Sequence, residues 1–243
     1  MLSELDTKRF ALPIAKVNDW SEGVDTLLDR CRALGIKLVM SRIDSREIDL
    51  INQLEDRGFR LKDTQLTVSK RLMAMPGDNF QISIPDDITV GHVMPSEAER
   101  VGDLAYEAFK GYGHYAQDTR LDINQSNEIY RDWAVKSCLD RSVADFVFVT
   151  RVEGNVAGFL SLKCARSEEG SYGIQHFGAV DSKYRNRSLF RMLIARCMEE
   201  GFRLGHTRQE TYLLSINAPV LGSYTKMGYR ILGSHHTLHG WIS

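Results

Sequence analysis

Two stretches of this chain end alike, and the likeness restricts the fold more than any composition figure does. LVMSRI, Leu38 to Ile43, leads into a helix-like run that closes as LEDRGFRL, Leu54 to Leu61. YLLSIN, Tyr212 to Asn217, leads into another that closes as YTKMGYRI, Tyr224 to Ile231. Each reads as strand, helix, strand, with Gly58 or Gly228 stopping the helix. This match sets Ser41 against Ser215 and Gly58-Phe59-Arg60-Leu61 against Gly228-Tyr229-Arg230-Ile231. The helices between then differ by four residues. Glycine followed by an aromatic is a common helix stop, so two similar units by chance is one reading. The other is a truncated structural copy of part of the C-terminal region. In that reading Leu54 holds the slot of Tyr224 without its hydroxyl, and the copy is structural.

Helices and strands alternate through the rest of the chain. Ser21 to Leu34 carries Val24, Leu27, Leu28 and Cys31 at helical spacing, with Gly35 as its stop. Ser45 is the expected N-cap of the next helix. Ser96 and Glu99 form an expected capping box at the start of SEAERVGDLAYEAFKGYG. HYAQDTRLDINQSN reads as a polar loop and EIYRDWAVKSCL as a helix. DFVFVTRVEGNVAGFLSLKCAR reads as two strands around a Glu153-Gly154-Asn155 turn. YGIQHFGAV is a strand, followed by a basic loop and a helix to about Leu204. ETYLLSI is a strand and NAPVLGSYTKMG a short helix with Pro219 in its first turn. YRILGSHHTLHGWI is a strand pair or an extended tail. Met75 to Asp87 holds two of the five prolines and no helical period, as a linker would. The expected organisation is a domain over 1–75, a linker over 76–87 and a second domain over 88–243. The class is α/β with a mixed sheet.

Charge and cysteine usage exclude several function classes. The net charge of the 243 residues is −1, so an anion site must be local, which argues against a nucleic-acid polymer as partner. No run of about 18 apolar residues occurs, so no membrane partner is expected. Cys31, Cys138, Cys164 and Cys197 are widely spaced without a C-x-x-C pair. That pattern suits reduced intracellular thiols, and a cytoplasmic location is the default expectation. His235, His236 and His239 have no carboxylate or thiol within ten residues, so no metal is expected.

The basic loop is KYRNRSLFRMLI, Lys183 to Ile194. Four of its first nine residues are cationic: Lys183, Arg185, Arg187 and Arg191. A helix start offers unpaired amides and a positive dipole end, which together hold phosphate oxygens. No proline removes an amide here, and Ser188 is the expected N-cap. Leu189, Met192, Leu193, Ala195, Cys197 and Met198 make the buried stripe of the following helix. Standing alone, such a loop also reads as the solvated basic edge of an ordinary helix.

The order of strand, basic loop, long helix, strand, Asn-Ala-Pro and short helix with tyrosine resembles the GNAT superfamily of acyl-CoA-dependent N-acetyltransferases. Val180 matches that family's strand-end valine and Arg185 its loop arginine. Tyr184-Arg185-Asn186-Arg187 is similar to its Tyr-Arg-Gly-Arg/Lys. Ser188 and Phe190 stand where the family has Gly and Gly/Ala. The resemblance implies a GNAT fold and a coenzyme A pyrophosphate held by Asn186, Arg187, Ser188, Leu189, Phe190 and Arg191. Phe190 must turn inward for that, since otherwise it narrows the approach. Over more of the chain, the sequence resembles the dTDP-fucosamine (dTDP-4-amino-4,6-dideoxygalactose) acetyltransferases, which carry a truncated N-terminal half-domain. LDTKRFALPIAKV resembles their entry segment. Tyr115, Asp118, Tyr130 and Trp133 match their Phe/Tyr-x-x-Asp and Tyr-x-x-Trp elements.

The resemblance implies direct transfer from acetyl-CoA, without a metal, to a small-molecule amine, first of all a nucleotide-linked amino sugar. It assigns Asn217 to the cofactor arm and Tyr224 to the general acid that protonates the leaving thiolate. Backbone amides late in the Gly173–Val180 strand would form the oxyanion hole. His114, Tyr115, Tyr130, Trp133 and His176 are candidates for the acceptor pocket, although Tyr130 and Trp133 also suit core packing. His176 is a candidate base beside a water relay. The alternatives are a non-catalytic CoA-binding sensor module and a GNAT enzyme for another amine, a protein N-terminus or an aminoglycoside. A homodimer is an assembly the sequence leaves open.

Overall fold

The computed structural model describes residues 2–72 and 82–242. The expected linker lies outside the described residues as far as residue 81. The elements are α1 (Glu4–Phe10), β1 (Ile14–Lys16), α2 (Val24–Ala33), β2 (Leu38–Asp44), α3 (Ile48–Asp56) and β3 (Arg60–Arg71). There follow β4 (Ile88–His92), α4 (Ala98–Phe109), α5 (Gly113–Ala116), α6 (Ile123–Leu139), β5 (Phe146–Val152), β6 (Asn155–Ser167) and β7 (Gly170–Val180). The last are α7 (Leu189–Arg203), β8 (Arg208–Leu214), α8 (Ala218–Lys226) and β9 (Arg230–Trp241). This is a mixed α/β fold. No described helix is long and apolar enough to cross a membrane.

The chain divides into two compact units that do not follow one another along the sequence. The first comprises 1–66, 111–126 and 233–243, and the second 67–110 and 127–232. The sequence, by contrast, suggested consecutive domains divided at 76–87.

The first unit has the strand order β1-β2-β9-β3. β1 runs parallel to β2, with Ile14 opposite Leu38, and β2 runs antiparallel to β9, with Leu38 opposite Trp241. Its core gathers Ala15, Val17, Trp20, Leu28, Val39, Leu54, Phe59 and Leu238 under α2 and α3.

The second unit has the order β3-β8-β7-β6-β5-β4. β7 and β8 are parallel, while the β4, β5, β6 and β7 neighbours are antiparallel. A hairpin joins β5 to β6 through Glu153 and Gly154, both with positive φ (50° and 81°). One face packs on α4 and α6 around Phe159 and Phe177, and another cluster seats Leu189 and Met192 of α7 against Ile88 and Val152.

The sequence echo is a repeat in constant register. β2 and β8, α3 and α8, and β3 and β9 have equal lengths and lie 170 positions apart (38 and 208, 48 and 218, 60 and 230). Leu54 therefore does correspond to Tyr224. Ser41, however, corresponds to Thr211 and not to Ser215, and the helices do not differ in length. Gly58 and Gly228 end α3 and α8 at φ of 87° and 82°, a conformation that costs an L side chain about 1–2 kcal/mol. The strand beside β2 is β9, and the strand beside β8 is β3. The pairing of β9 with β2 accounts for 233–243 lying in the first unit.

Several expected boundaries move. α3 begins at Ile48 with Glu47 as N-cap, because Asp44 and not Ser45 accepts the turn amide, that of Arg46, at 2.9 Å. A short 3₁₀ turn, Pro95–Glu97, precedes α4, and Glu97 accepts the Met94 amide at 2.7 Å, which moves the cap away from Ser96 and Glu99. α2 begins only at Val24, after Gly23. α5 and the first turn of α6 form inside the stretch that reads as a loop. The tail is one continuous strand, β9.

Candidate functional site

The candidate site begins where β7 and β8 part. Their ladder runs from Tyr172 opposite Arg208 to Gln175 opposite Thr211 and then stops. β7 continues to Val180 while its other edge stays paired to β6. Along 176–180 its β8-side edge is thus outside the β7–β8 ladder. This is the edge from which the sequence reading drew its oxyanion donors.

Residues 181–188 carry the chain from β7 into α7. Asp181 caps a single 3₁₀ turn by accepting the Lys183 amide at 2.9 Å, and it pairs with Arg100 at 2.6 Å. Asn186 and Ser188 then take left-handed φ values of 64° and 60°. Glycine adopts these angles readily, and for other residues they cost about 1–2 kcal/mol each, less for asparagine. The loop thus holds glycine-like geometry without glycine. Ser188 is the N-cap of α7 by position, but its side chain caps no amide. Its hydroxyl instead accepts from Arg191 at 2.5 Å. The first amides of α7, from Leu189 onward, have no intrahelical acceptor, as at any helix start. Arg187 pairs with Asp87 at 2.5 Å, and Lys183 and Arg185 are exposed.

Tyr224, on α8, is 2 % exposed. Burial pushes its pKa far above the usual phenol value, against a smaller lowering effect of Thr211. It therefore stays protonated at neutral pH, as an acid must. Phe190 meets the Tyr224 ring edge-on at 5.8 Å, and Tyr229 meets it from another side at 5.0 Å. Phe190 thus turns inward onto Tyr224. Behind them Gln175 donates to Tyr229 at 2.8 Å, and Tyr229 donates to Gln209 at 3.3 Å. Asn217 is the N-cap of α8 and accepts the Val220 amide at 3.4 Å.

Of the acceptor candidates, Tyr130, Trp133 and His176 come together in the second unit. Trp133 stacks on Phe177 at 4.9 Å, Tyr130 lies 5.8 Å from the same ring, and His176 lies 6.2 Å from Trp133. Burial, and then Lys163, lower the His176 pKa, so its imidazole is neutral at physiological pH.

His114 and Tyr115 belong to the first unit, in two buried chains that the sequence did not reveal. Asp118 accepts from His239 Nδ1 at 2.7 Å and from Trp241 Nε1 at 3.1 Å. Burial raises the Asp118 carboxyl, but the bonds from His239, the Arg120 amide and Trp241 outweigh it and hold the group below its usual range. The other ring nitrogen of His239, Nε2, lies 2.9 Å from His114 Nδ1. Burial, followed by His239 and the cations Arg42 and Lys16, pushes the His114 pKa well down. In the second chain Tyr115 donates to Asp6 at 2.9 Å and accepts from Lys16 at 3.1 Å. The three-histidine tail thus has a carboxylate partner after all, brought by the fold from 121 residues away. Among the described residues no group of three or more His, Cys, Asp or Glu could hold a metal ion.

The four cysteines are free thiols, and burial pushes all of them up, Cys138 to about 12 and Cys164 to about 11. None is an activated thiolate, so nothing favours a thioester-exchanging cysteine.

Comparison with known proteins follows the same outline. The profile described as Acetyltransferase (GNAT) family matches residues 105–229. The spore coat polysaccharide biosynthesis protein SpsD of Bacillus subtilis (strain 168) is 24 % identical over 169 residues, which is 70 % of this chain. The match spans only 56 % of that relative's own length. A tandem GNAT protein from the clavulanic acid biosynthesis pathway superposes with a TM-score of 0.62 at 11 % identity, covering 90 % of this chain and 68 % of that one. A GCN5-related N-acetyltransferase from Sphaerobacter thermophilus gives 0.56 at 15 % identity, covering 88 % and 64 %.

Proposed function

The chain belongs to the GNAT acetyltransferase family, and we propose that it moves the acetyl group of acetyl-CoA to the primary amine of a nucleotide-linked amino sugar. The observation that carries this reading is the alignment of parts in the second unit. A β7 edge released from its neighbour, a basic loop with two left-handed residues, the α7 amides and a protonated Tyr224 follow from one strand end. The relative in polysaccharide biosynthesis supports a sugar acceptor.

Acetyl-CoA would lay its pyrophosphate over the loop from Arg185 to Arg191, on the amides of Ser188, Leu189 and Phe190. Val180 and the β7 edge before it would meet the pantetheine arm and direct amides at the developing oxyanion. Asn217 would contact the arm from the start of α8. Tyr224 would protonate the departing thiolate. His176, neutral and half-buried, is the proposed proton acceptor, with Trp133 beside it. We further propose that residues 1–75 form a truncated GNAT-like domain and 88–243 the acetyl-CoA-binding domain, a reading the repeat in constant register supports.

The test is release of free thiol from acetyl-CoA over a panel of amines. Turnover with dTDP-4-amino-4,6-dideoxygalactose and none with aminoglycosides or peptide N-termini is expected. Acetyl-CoA binding by calorimetry without turnover of any amine would overturn the enzyme reading in favour of a sensor.

A further inference from the structure

Strand β7 slips against β6 at the place where it leaves β8. Leu162 stands opposite Gln175 and Ser161 opposite Phe177, so His176 is an extra residue in β7, a β-bulge. The β7–β8 ladder ends at the same point, with Gln175 opposite Thr211. Ser161, 1 % exposed, donates its hydroxyl to the Phe177 carbonyl at 3.2 Å. A side chain thus pins the strand where the regular ladder is interrupted.

That bond fixes the direction of one peptide group. The Phe177 carbonyl points toward β6, because its donor sits on β6. No peptide bond among the described residues is cis, so the N–H of the same group, that of Gly178, points the opposite way. It faces the side from which β8 has already departed. The group also has little room to tilt. A Cβ at Gly178 would lie 2.6 Å from Leu160 Cδ1 and 2.7 Å from the Phe159 carbonyl oxygen, so only glycine lets β7 press this closely on β6. Gly178 itself is half-buried and not sealed from solvent.

We infer that Ser161 is a positioning residue for the acetyl carbonyl, one that aims the Gly178 amide at the thioester oxygen through the Phe177–Gly178 peptide. The inference rests on the reading of this edge as the acyl-CoA site. As the amine nitrogen bonds to the thioester carbon, the carbonyl electron pair moves onto oxygen, and that oxygen accepts from the Gly178 N–H. The pair returns when the carbon–sulfur bond breaks. The thiolate takes the Tyr224 proton and the nitrogen gives its surplus proton to His176, as proposed above. No proton leaves the peptide. A donor on the carbonyl of an amide polarises the N–H of the same amide, strengthening its bond by about 10–30 %. It also holds the plane of the group still. Ser161 acts only through that group and touches neither substrate.

The experiment exploits the one Phe-Gly step in the sequence, Phe177-Gly178. Phenylalanine labelled with ¹³C at its carbonyl and glycine labelled with ¹⁵N give a single cross-peak in a carbonyl–amide correlation spectrum of the full chain. Acetyl-CoA should move its amide proton downfield, and CoA, which lacks the carbonyl, should not. In Ser161→Ala this acetyl-specific shift should shrink while calorimetry shows CoA affinity unchanged, and Ser161→Thr should keep it. No difference between the two ligands in the unsubstituted protein, or a shift of full size in Ser161→Ala, would overturn the inference. Ser161→Ala decides alone if the added methyl of threonine prevents folding. No binding of acetyl-CoA by calorimetry would instead sink the acyl-CoA reading itself. The spectrum needs no acceptor, so it decides the inference whatever the amine. With dTDP-4-amino-4,6-dideoxygalactose as acceptor, Ser161→Ala should lower kcat about twofold to tenfold. That is a fraction of the roughly 10²–10³ lost with a whole oxyanion donor. A rise in KM for acetyl-CoA at constant kcat would also refute the role.

Discussion

The two repeats share one frame and differ in one segment. From Val17 to Ala33 the first takes 17 residues to leave its strand and finish its helix; from Gln175 to Arg203 the second takes 29. The surplus is the free end of β7, the basic loop and the first turn of α7. In the first unit Asn18 to Gly23 closes that distance with Asp19 and Glu22 in the turn, and Trp20 folds into the core and bonds to Ser41. The frame is therefore a scaffold that stands without the phosphate-type loop. The proposed chemistry uses the added segment and one hydroxyl, that of Tyr224, absent from Leu54.

That contrast can be broken experimentally, and the largest effect is expected at the position that separates the repeats. Tyr224→Phe should lower kcat by about 10²–10⁴-fold with acetyl-CoA affinity retained, checked by steady-state kinetics beside calorimetry. Its counterpart should do the reverse. Leu54 is fully buried, so Leu54→Ala should cost about 2–5 kcal/mol in denaturant unfolding with no direct effect on chemistry. Next comes the shared hydroxyl. Ser41→Ala strands the buried Trp20 N–H and should cost about 1–3 kcal/mol, while Ser41→Thr should be milder.

Acid should act on the first unit through His114. Its folded pKa lies well below the usual 6.5, so on acidification the unfolded chain takes up a proton the folded chain refuses. Stability should fall as pH drops below about 6.5, and the depressed carboxyls of Asp6 and Asp118 add a further loss below about pH 4. His114→Gln, whose amide can still hydrogen-bond to His239, should flatten the first of these slopes in melts between pH 7.5 and 5.5. The smallest effect is expected at Ser188. Ser188→Gly relieves a left-handed serine and should change stability by under about 1 kcal/mol while keeping acetyl-CoA affinity, whereas Ser188→Val should weaken it.

Much of this was legible before the fold. The helix stops at Gly58 and Gly228, the Glu153-Gly154 turn and the buried stripe of α7 depend on short-range rules that act within a few residues. So did the correspondence of Leu54 with Tyr224. The pairing of Ser41 with Ser215 was wrong because matching letters carried less information than strand register. The caps at Ser45 and Ser96 were misplaced because neighbouring carboxylates, Asp44 and Glu97, took the amides first.

The sequence by itself determined the order of elements from β5 to α8, the GNAT membership and the candidates Val180, Arg185, Asn217 and Tyr224, since these sit at fixed spacing along one stretch of chain. Tertiary structure alone decided the rest. It placed β9 beside β2 and β3 beside β8, because strand pairing has no sequence-local signature. It brought Asp118 to His239 and Thr211 to Gln175, because hydrogen bonds between buried groups depend on distance in space. And it turned Phe190 onto Tyr224, a choice between core and solvent that only the finished packing of α7 could make.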